Sequence, residues 1–162
     1  MLTLTAADGE ARFTLKTLDD TAELGRKIAA VLQPGMTLLL KGDLGAGKTT
    51  LVREICGALG WHKTCSPSFA IVNEYARAKI PVAHADLYRL ENVDGRDLGF
   101  DDYLDDGWVL MVEWPEHLAR GDFDELWQCR MSAVGGLRRF DVDAKGKIAQ
   151  EALSRLEKLC HE

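Results

Sequence analysis

The sequence predicts an α/β protein, a layered sheet of mixed parallel and antiparallel strands flanked by helices. Three observations carry this. Two short, continuous apolar runs, at 36–40 (MTLLL) and 108–112 (WVLMV), read as strands buried on both faces. Three stretches, at 20–32, 49–59 and 147–160, space their apolar residues at the helical period. Two pairs of extended segments, one around the polar turn 76–79 and one around Gly135-Gly136, read as hairpins.

Each element follows in order. Residues 12–15 alternate weakly and read as an edge strand. In the helix at 20–32, Asp20 followed by Glu23 resembles a capping box with Asp20 as the cap. Leu24, Ile28, Val31 and Leu32 fall on one face, and Gln33-Pro34-Gly35 stops the helix. The strand at 36–40 lies between Gly35 and Gly42. The helix at 49–59 turns Val52, Ile55, Cys56 and Leu59 inward and ends at Gly60. Segments 69–75 and 81–88 form the first hairpin, with Pro81 suited to a strand start. Residues 91–107 are acidic and turn-rich, with a short helix over 96–104. After the strand at 108–112, segments 127–134 and 138–142 form the second hairpin. The closing helix at 147–160 carries Ala149, Ala152, Leu153, Leu156 and Cys160 on one stripe. With no repeat, linker or low-complexity stretch, residues 1–162 read as a single domain.

Composition excludes several functions. A chain of 162 residues with 46% hydrophobic content can build a real core. A net charge of −6 argues against a protein that grips DNA or RNA by itself. It leaves RNA open as the target of a larger complex. The N-terminus lacks a basic region followed by an apolar run, and no segment approaches the length of a membrane span. A cytoplasmic protein without membrane contact is the expectation. Cys56, Cys65, Cys129 and Cys160 are far apart and read as reduced thiols. His62 and Cys65 lack the second ligand pair that a zinc site requires.

The stretch 42–49, GDLGAGKT, matches the phosphate-binding loop G-x-x-x-x-G-K-[ST]. It has the context the motif needs, a buried strand before it and a helix after it. The fold class thereby sharpens to a P-loop NTPase type. Gly42, Gly45 and Gly47 let the backbone curl, so that amides from Gly42 through Asp43, Leu44, Ala46 and on to Thr50 face the phosphates. The positive end of the following helix assists. Lys48 reaches the β- and γ-phosphates, and the Thr49 hydroxyl is placed for Mg²⁺. A second magnesium ligand is expected at a strand end, where Glu113 closes WVLMVE and Asp86 closes VAHAD. Asp86 alone reads equally well as a solvated strand-end carboxylate. Without an Asn-Lys-x-Asp signature the nucleotide is ATP rather than GTP. The arginines are scattered, which disfavours the Arg-rich lid of a small-molecule kinase.

GDLGAGKTT, SPSFAIVNEY (66–75), HADLYRL (84–90) and VEWPE (112–116) occur in this order. Together they resemble the TsaE (YjeE) family of bacterial ATPases, as do LG at 24–25 and LGFDDYL at 98–104. The resemblance runs from Thr17 to Val142. It implies a small P-loop ATPase that works with the TsaD and TsaB proteins. Those partners attach a threonylcarbamoyl group to an adenosine beside the tRNA anticodon, giving t⁶A. ATP hydrolysis would reset the TsaD–TsaB assembly between turnovers, and tRNA would be met only through the partners.

By residue, the resemblance implies that Lys48 binds phosphates and that Thr49 and Glu113 ligate Mg²⁺. Asp86 would orient or activate the attacking water, giving a catalytic set of Asp86, Lys48 and Glu113. Residues 66–69 would act as a switch loop, and Trp114 and Pro115 would shape the mouth. Thr17, Asp19 and Thr21 lie where the family meets adenine. Ser68 stands in place of the usual Thr, Ala85 replaces a bulkier residue, and either Arg138 or Arg139 matches the family's late arginine. Two rival readings share the loop: a small-molecule kinase, and a nucleotide-sensing module without useful turnover. Tyr75, Tyr88 and Phe69 read equally as core aromatics, and the acidic run 101–106 as a solvated face.

Overall fold

A computed structural model describes residues 2–61 and 71–161. In chain order the elements are β1 (Thr3–Ala7), β2 (Glu10–Leu15), α1 (Leu18–Val31), β3 (Thr37–Lys41), α2 (Lys48–Ala58), β4 (Val72–Tyr75) and β5 (Val82–Asp86). Then come α3 (Phe100–Asp105), β6 (Val109–Glu113), β7 (Leu126–Val134), β8 (Leu137–Lys145) and α4 (Lys147–His161). Two 3₁₀ turns, Gly95–Leu98 and Pro115–His117, precede α3 and follow β6.

The strands form one eight-stranded sheet in the order β1-β2-β8-β7-β3-β6-β5-β4. Its centre, β7-β3-β6-β5, is parallel, and both flanks are antiparallel. This is the mixed α/β sheet expected. Central parallel strands must be covered on both faces, which explains the unbroken apolar runs of β3 and β6. On one face α1, α2 and α4 bury Leu24, Ile28, Leu51, Ile55, Leu153 and Leu156 against Leu38, Leu40, Met111 and Phe140. Each such side chain contributes roughly 1.5–3 kcal/mol of apolar burial. On the other face Phe100 and the segments around it cover Leu39, Leu110 and Val112. The Trp127 indole fastens α4 by donating to the Ala149 carbonyl across 2.8 Å.

Several boundaries differ from the sequence reading, each for a local reason. The segment at 12–15 is not at the edge, because β1 pairs outside it. β1 (TLTAA) is mostly exposed and carries no apolar alternation to betray it. Helix α1 is capped by Thr17, not Asp20. The Thr17 hydroxyl accepts from the Asp20 amide at 3.1 Å, and the Asp20 carboxylate accepts the Lys16 and Thr17 amides at 2.7 and 3.0 Å. Asp20 thus fills the third-position role that the sequence reading gave to Glu23. The short helix at 96–104 is broken by Gly99, whose φ of +76° ends the 3₁₀ turn before α3 begins.

Candidate functional site

The parallel strands β3, β6 and β5 run side by side, so their carboxyl ends share one edge of the sheet. Leu40 is in register with Glu113, and Glu113 with Asp86. The loop after β3 turns over this edge and enters α2 at Lys48. Ligands in open α/β sheets bind at this edge. The strand period of two then decides which side chains meet there. His84 and Asp86 on β5, and Met111 and Glu113 on β6, alternate with Ala83, Ala85, Leu110 and Val112, which join the opposite core.

All three glycines of the loop have positive φ, and two show most directly what a side chain would disturb. A Cβ on Gly42 would overlap the Met131 carbonyl oxygen of β7. Gly47, at φ +106°, is the residue from which α2 starts. Arg138 of β8 reaches over the same turn, where its Nη1 donates to the Gly45 carbonyl at 2.7 Å. Asp43, Leu44 and Gly45 are exposed, Ala46 is buried, and Thr50 is half-buried in the first turn of α2.

Lys48 is buried to 5% exposure. Its Nζ donates to the Gly42 carbonyl and lies 3.8 Å from the centroid of the Trp114 ring, a cation–π contact. Burial pushes the Lys48 ammonium down from its ordinary range, opposed by the carboxylates of Glu113, Glu116, Asp86 and Asp43. Trp114 is held in the left-handed region at φ +59°. Its ring packs against Tyr88 at 5.0 Å and stacks on His117 at 5.8 Å between centroids. Such a backbone conformation costs of order 1–3 kcal/mol and persists because neighbours impose it.

Glu113 engages a different partner with each carboxylate oxygen. Its Oε1 accepts from the Thr49 hydroxyl at 2.8 Å, and its Oε2 meets His84 Nε2 at 2.6 Å. Burial pushes its carboxyl up, but the hydrogen bonds from His84 and Thr49 and the charge of Lys48 win, and it stays below its ordinary value. Asp86 is half-buried, with Oδ1 accepting the Tyr88 amide at 3.0 Å.

The pair Thr49–Glu113 fits a magnesium ion. Both are hard oxygen donors of the kind magnesium takes, held side by side by a hydrogen bond of ordinary length, 2.8 Å. Among the described residues no group of three or more His, Cys, Asp or Glu forms a ready metal cage. A magnesium completed by phosphate oxygens and water needs none.

Lys48, Thr49, Glu113 and Asp86 lie together at this edge of the sheet. Thr17, Asp19 and Thr21 lie at the start of α1, whose chain leaves β2 at the level of Arg138, the register partner of Leu15. There the Thr17 hydroxyl is engaged as a cap, Asp19 is exposed and Thr21 is buried. The switch segment 66–69, with His62 and Cys65, falls outside the described residues. Sequence reasoning passed over His84, although its position two before Asp86 on a strand already placed it on the same face. It also left Arg138 and Arg139 undivided, and Arg138 is the one on the loop.

The family described as "Threonylcarbamoyl adenosine biosynthesis protein TsaE" matches residues 15–137. The tRNA threonylcarbamoyladenosine biosynthesis protein TsaE of Bacillus subtilis (strain 168) is 36% identical over 145 residues, covering 89% of this chain and 87% of its own. The protein of the same name from Synechocystis is 39% identical over 120 residues, 68% of this chain and 74% of its own. The crystal structure of Bacillus subtilis YdiB superposes with a TM-score of 0.78 at 27% identity, over 98% of this chain and 97% of that one. The strand–loop–helix around 42–49, the acids at the ends of β5 and β6, and this sequence match agree: the chain belongs to the TsaE family of threonylcarbamoyl adenosine biosynthesis proteins.

Proposed function

We propose that this chain is a magnesium-dependent ATPase of the cytoplasm that supports t⁶A formation in tRNA. It acts on the TsaD–TsaB complex, hydrolysing ATP to ADP so that the complex can turn over repeatedly, and meets tRNA only through those partners. The observation that carries the reading is the Thr49–Glu113 contact at 2.8 Å, next to a buried Lys48 on a phosphate-binding loop. Membership of the TsaE family supports the link to tRNA modification. No helix among the described residues is long and apolar enough to cross a membrane.

In this reading the loop amides and the amino end of α2 bind the phosphates. Lys48 leaves the Gly42 carbonyl and moves to the β- and γ-phosphate oxygens. Thr49 and Glu113 would hold magnesium, which would supply charge neutralisation for the phosphates. Asp86 orients the attacking water. Positioning and charge neutralisation, not covalent chemistry, supply the rate.

The test is release of phosphate from ATP and Mg²⁺ by the purified chain, alone and with TsaD–TsaB. Slow release that the partners stimulate or suppress supports the reading. Transfer to an added small acceptor would make the chain a kinase. Tight binding without turnover under both conditions would make it a nucleotide sensor.

A further inference from the structure

His84 sits in the middle of β5, flanked by Ala83 and Ala85, and is 2% exposed. Burying an imidazole costs free energy unless its polar atoms are satisfied. Among the described residues Nδ1 has no hydrogen-bond partner. Nε2 meets Glu113 Oε2 at 2.6 Å. A position needed only for packing would be filled without penalty by an apolar residue, as its neighbours on the strand are. Its register partner is Met111, two residues before Glu113 on β6, so the ring reaches the carboxylate from further back along the sheet. The two oxygens of Glu113 are thus divided: Oε2 faces His84 and Oε1 faces Thr49. Because the acceptor is a carboxylate, Nε2 is the nitrogen that carries the proton toward it.

We propose that His84 is the positioning residue of Glu113: by holding Oε2 from behind, it fixes the rotamer that presents Oε1 beside the Thr49 hydroxyl, where a divalent cation on a nucleotide would sit. This rests on the magnesium–nucleotide reading above. His84 touches neither nucleotide nor metal. It acts on the carboxylate that does, as outer partners of metal ligands commonly do.

Two substitutions separate the donor from the ring. The amide nitrogen of His84→Gln reaches about as far as Nε2, whereas that of His84→Asn stops near the position of Nδ1. The readouts are affinity for a fluorescent ADP analogue as Mg²⁺ is titrated, and Mn²⁺ binding followed by electron paramagnetic resonance. Melting temperatures check folding. H84N is expected to raise the Mg²⁺ concentration for half-effect by about 10-fold or more, with metal-free nucleotide affinity unchanged. H84Q should restore the wild-type Mg²⁺ dependence. A wild-type response in H84N, or equal loss in both variants, overturns the proposal. If H84N does not fold, H84Q decides alone: wild-type Mg²⁺ dependence supports the role and its loss overturns it. If nucleotide affinity of the wild-type chain ignores Mg²⁺, the ATPase reading fails along with this one.

Discussion

The Thr49 hydroxyl on α2 donates to Glu113 Oε1 at the end of β6 across 2.8 Å, joining two elements 64 residues apart in sequence. The contact couples the phosphate-loop helix to the sheet and holds two hard oxygen donors side by side, which in the proposed function would serve magnesium. Removing either partner should therefore act on the metal before it acts on the nucleotide. Thr49→Ala and Glu113→Ala are expected to lower ATP hydrolysis about 100-fold, the loss typical of one electrostatic group at a reacting centre. Metal-free ADP affinity should persist. A variant whose hydrolysis keeps its wild-type magnesium response would remove that residue from the site.

The Lys48 ammonium rests on the Gly42 carbonyl and the Trp114 ring, 3.8 Å from the ring centroid. Nucleotide phosphates should draw it away and change the environment of the indole. ATP addition is expected to shift tryptophan fluorescence, and Trp114→Phe to abolish most of that shift. Lys48→Ala should weaken ATP binding by about 100-fold or more, since a buried charge-assisted contact is worth some 3 kcal/mol. Isothermal titration of ATP against both variants checks this, and wild-type affinity in Lys48→Ala would displace the lysine from the phosphates.

Glu113 sets a pH dependence whose sign follows from its environment. Its ordinary value is 4.5, and in the folded chain it lies lower, because the contacts from His84, Thr49 and Lys48 outweigh burial. Its contribution to stability is therefore complete above pH 4.5 and is lost as pH falls through the folded value. Melting curves of wild type and Glu113→Gln should differ by a constant amount above that pH. The difference should shrink below it. A gap that stays constant through the acid range would show that Glu113 is not held in its charged form.

How much of this was legible in the sequence depended on where the signal lay. The loop 42–49 was plain as a motif, because its glycines, its lysine and the strand and helix that flank it all follow one another in the sequence. Strands β3 and β6 were plain too, since burial on both faces leaves an unbroken apolar run. β1 was hidden, for it is an exposed edge whose pairing with β2 is made by backbone. The start of α1 was misread by one turn because both Thr17 and Asp20 are good caps, and only the backbone angles of Thr17 decide between them. Among site residues, Glu113 was named from its place after an apolar run. His84 was passed over although its place two before Asp86 put it on the same face; that it meets Glu113 follows only from the register of β5 against β6.

Gly25 governs how closely α1 approaches α2. A Cβ there would stand 2.6 Å from the Glu54 Cβ, a distance that no packed pair of side chains tolerates. Gly25→Ala should gain about 1 kcal/mol of helix propensity. It should lose about 1–3 kcal/mol to overpacking, because two helix backbones must separate. The net expectation is a lower melting temperature, with weaker nucleotide binding as α2 shifts on the sheet. A melting temperature at or above wild type would mean that the helices part without cost.

Arg138 and Arg139 are adjacent on β8, so the strand sends their side chains to opposite faces. Only Arg138 has the loop within reach: Nη1 meets the Gly45 carbonyl at 2.7 Å, and a Cβ on Gly47 would lie 3.2 Å from the same nitrogen. The hydrogen bond lies at the surface, so solvent screening limits its worth. Arg138→Ala should weaken nucleotide binding by about 10-fold, since the loop loses a charged donor worth about 1.5 kcal/mol. Arg139→Ala, with its side chain turned away, should bind as wild type does. The pair forms an internal control, because both substitutions remove one positive charge from the same strand. Equal effects on nucleotide affinity would mean that net charge near the loop matters and the contact with Gly45 does not.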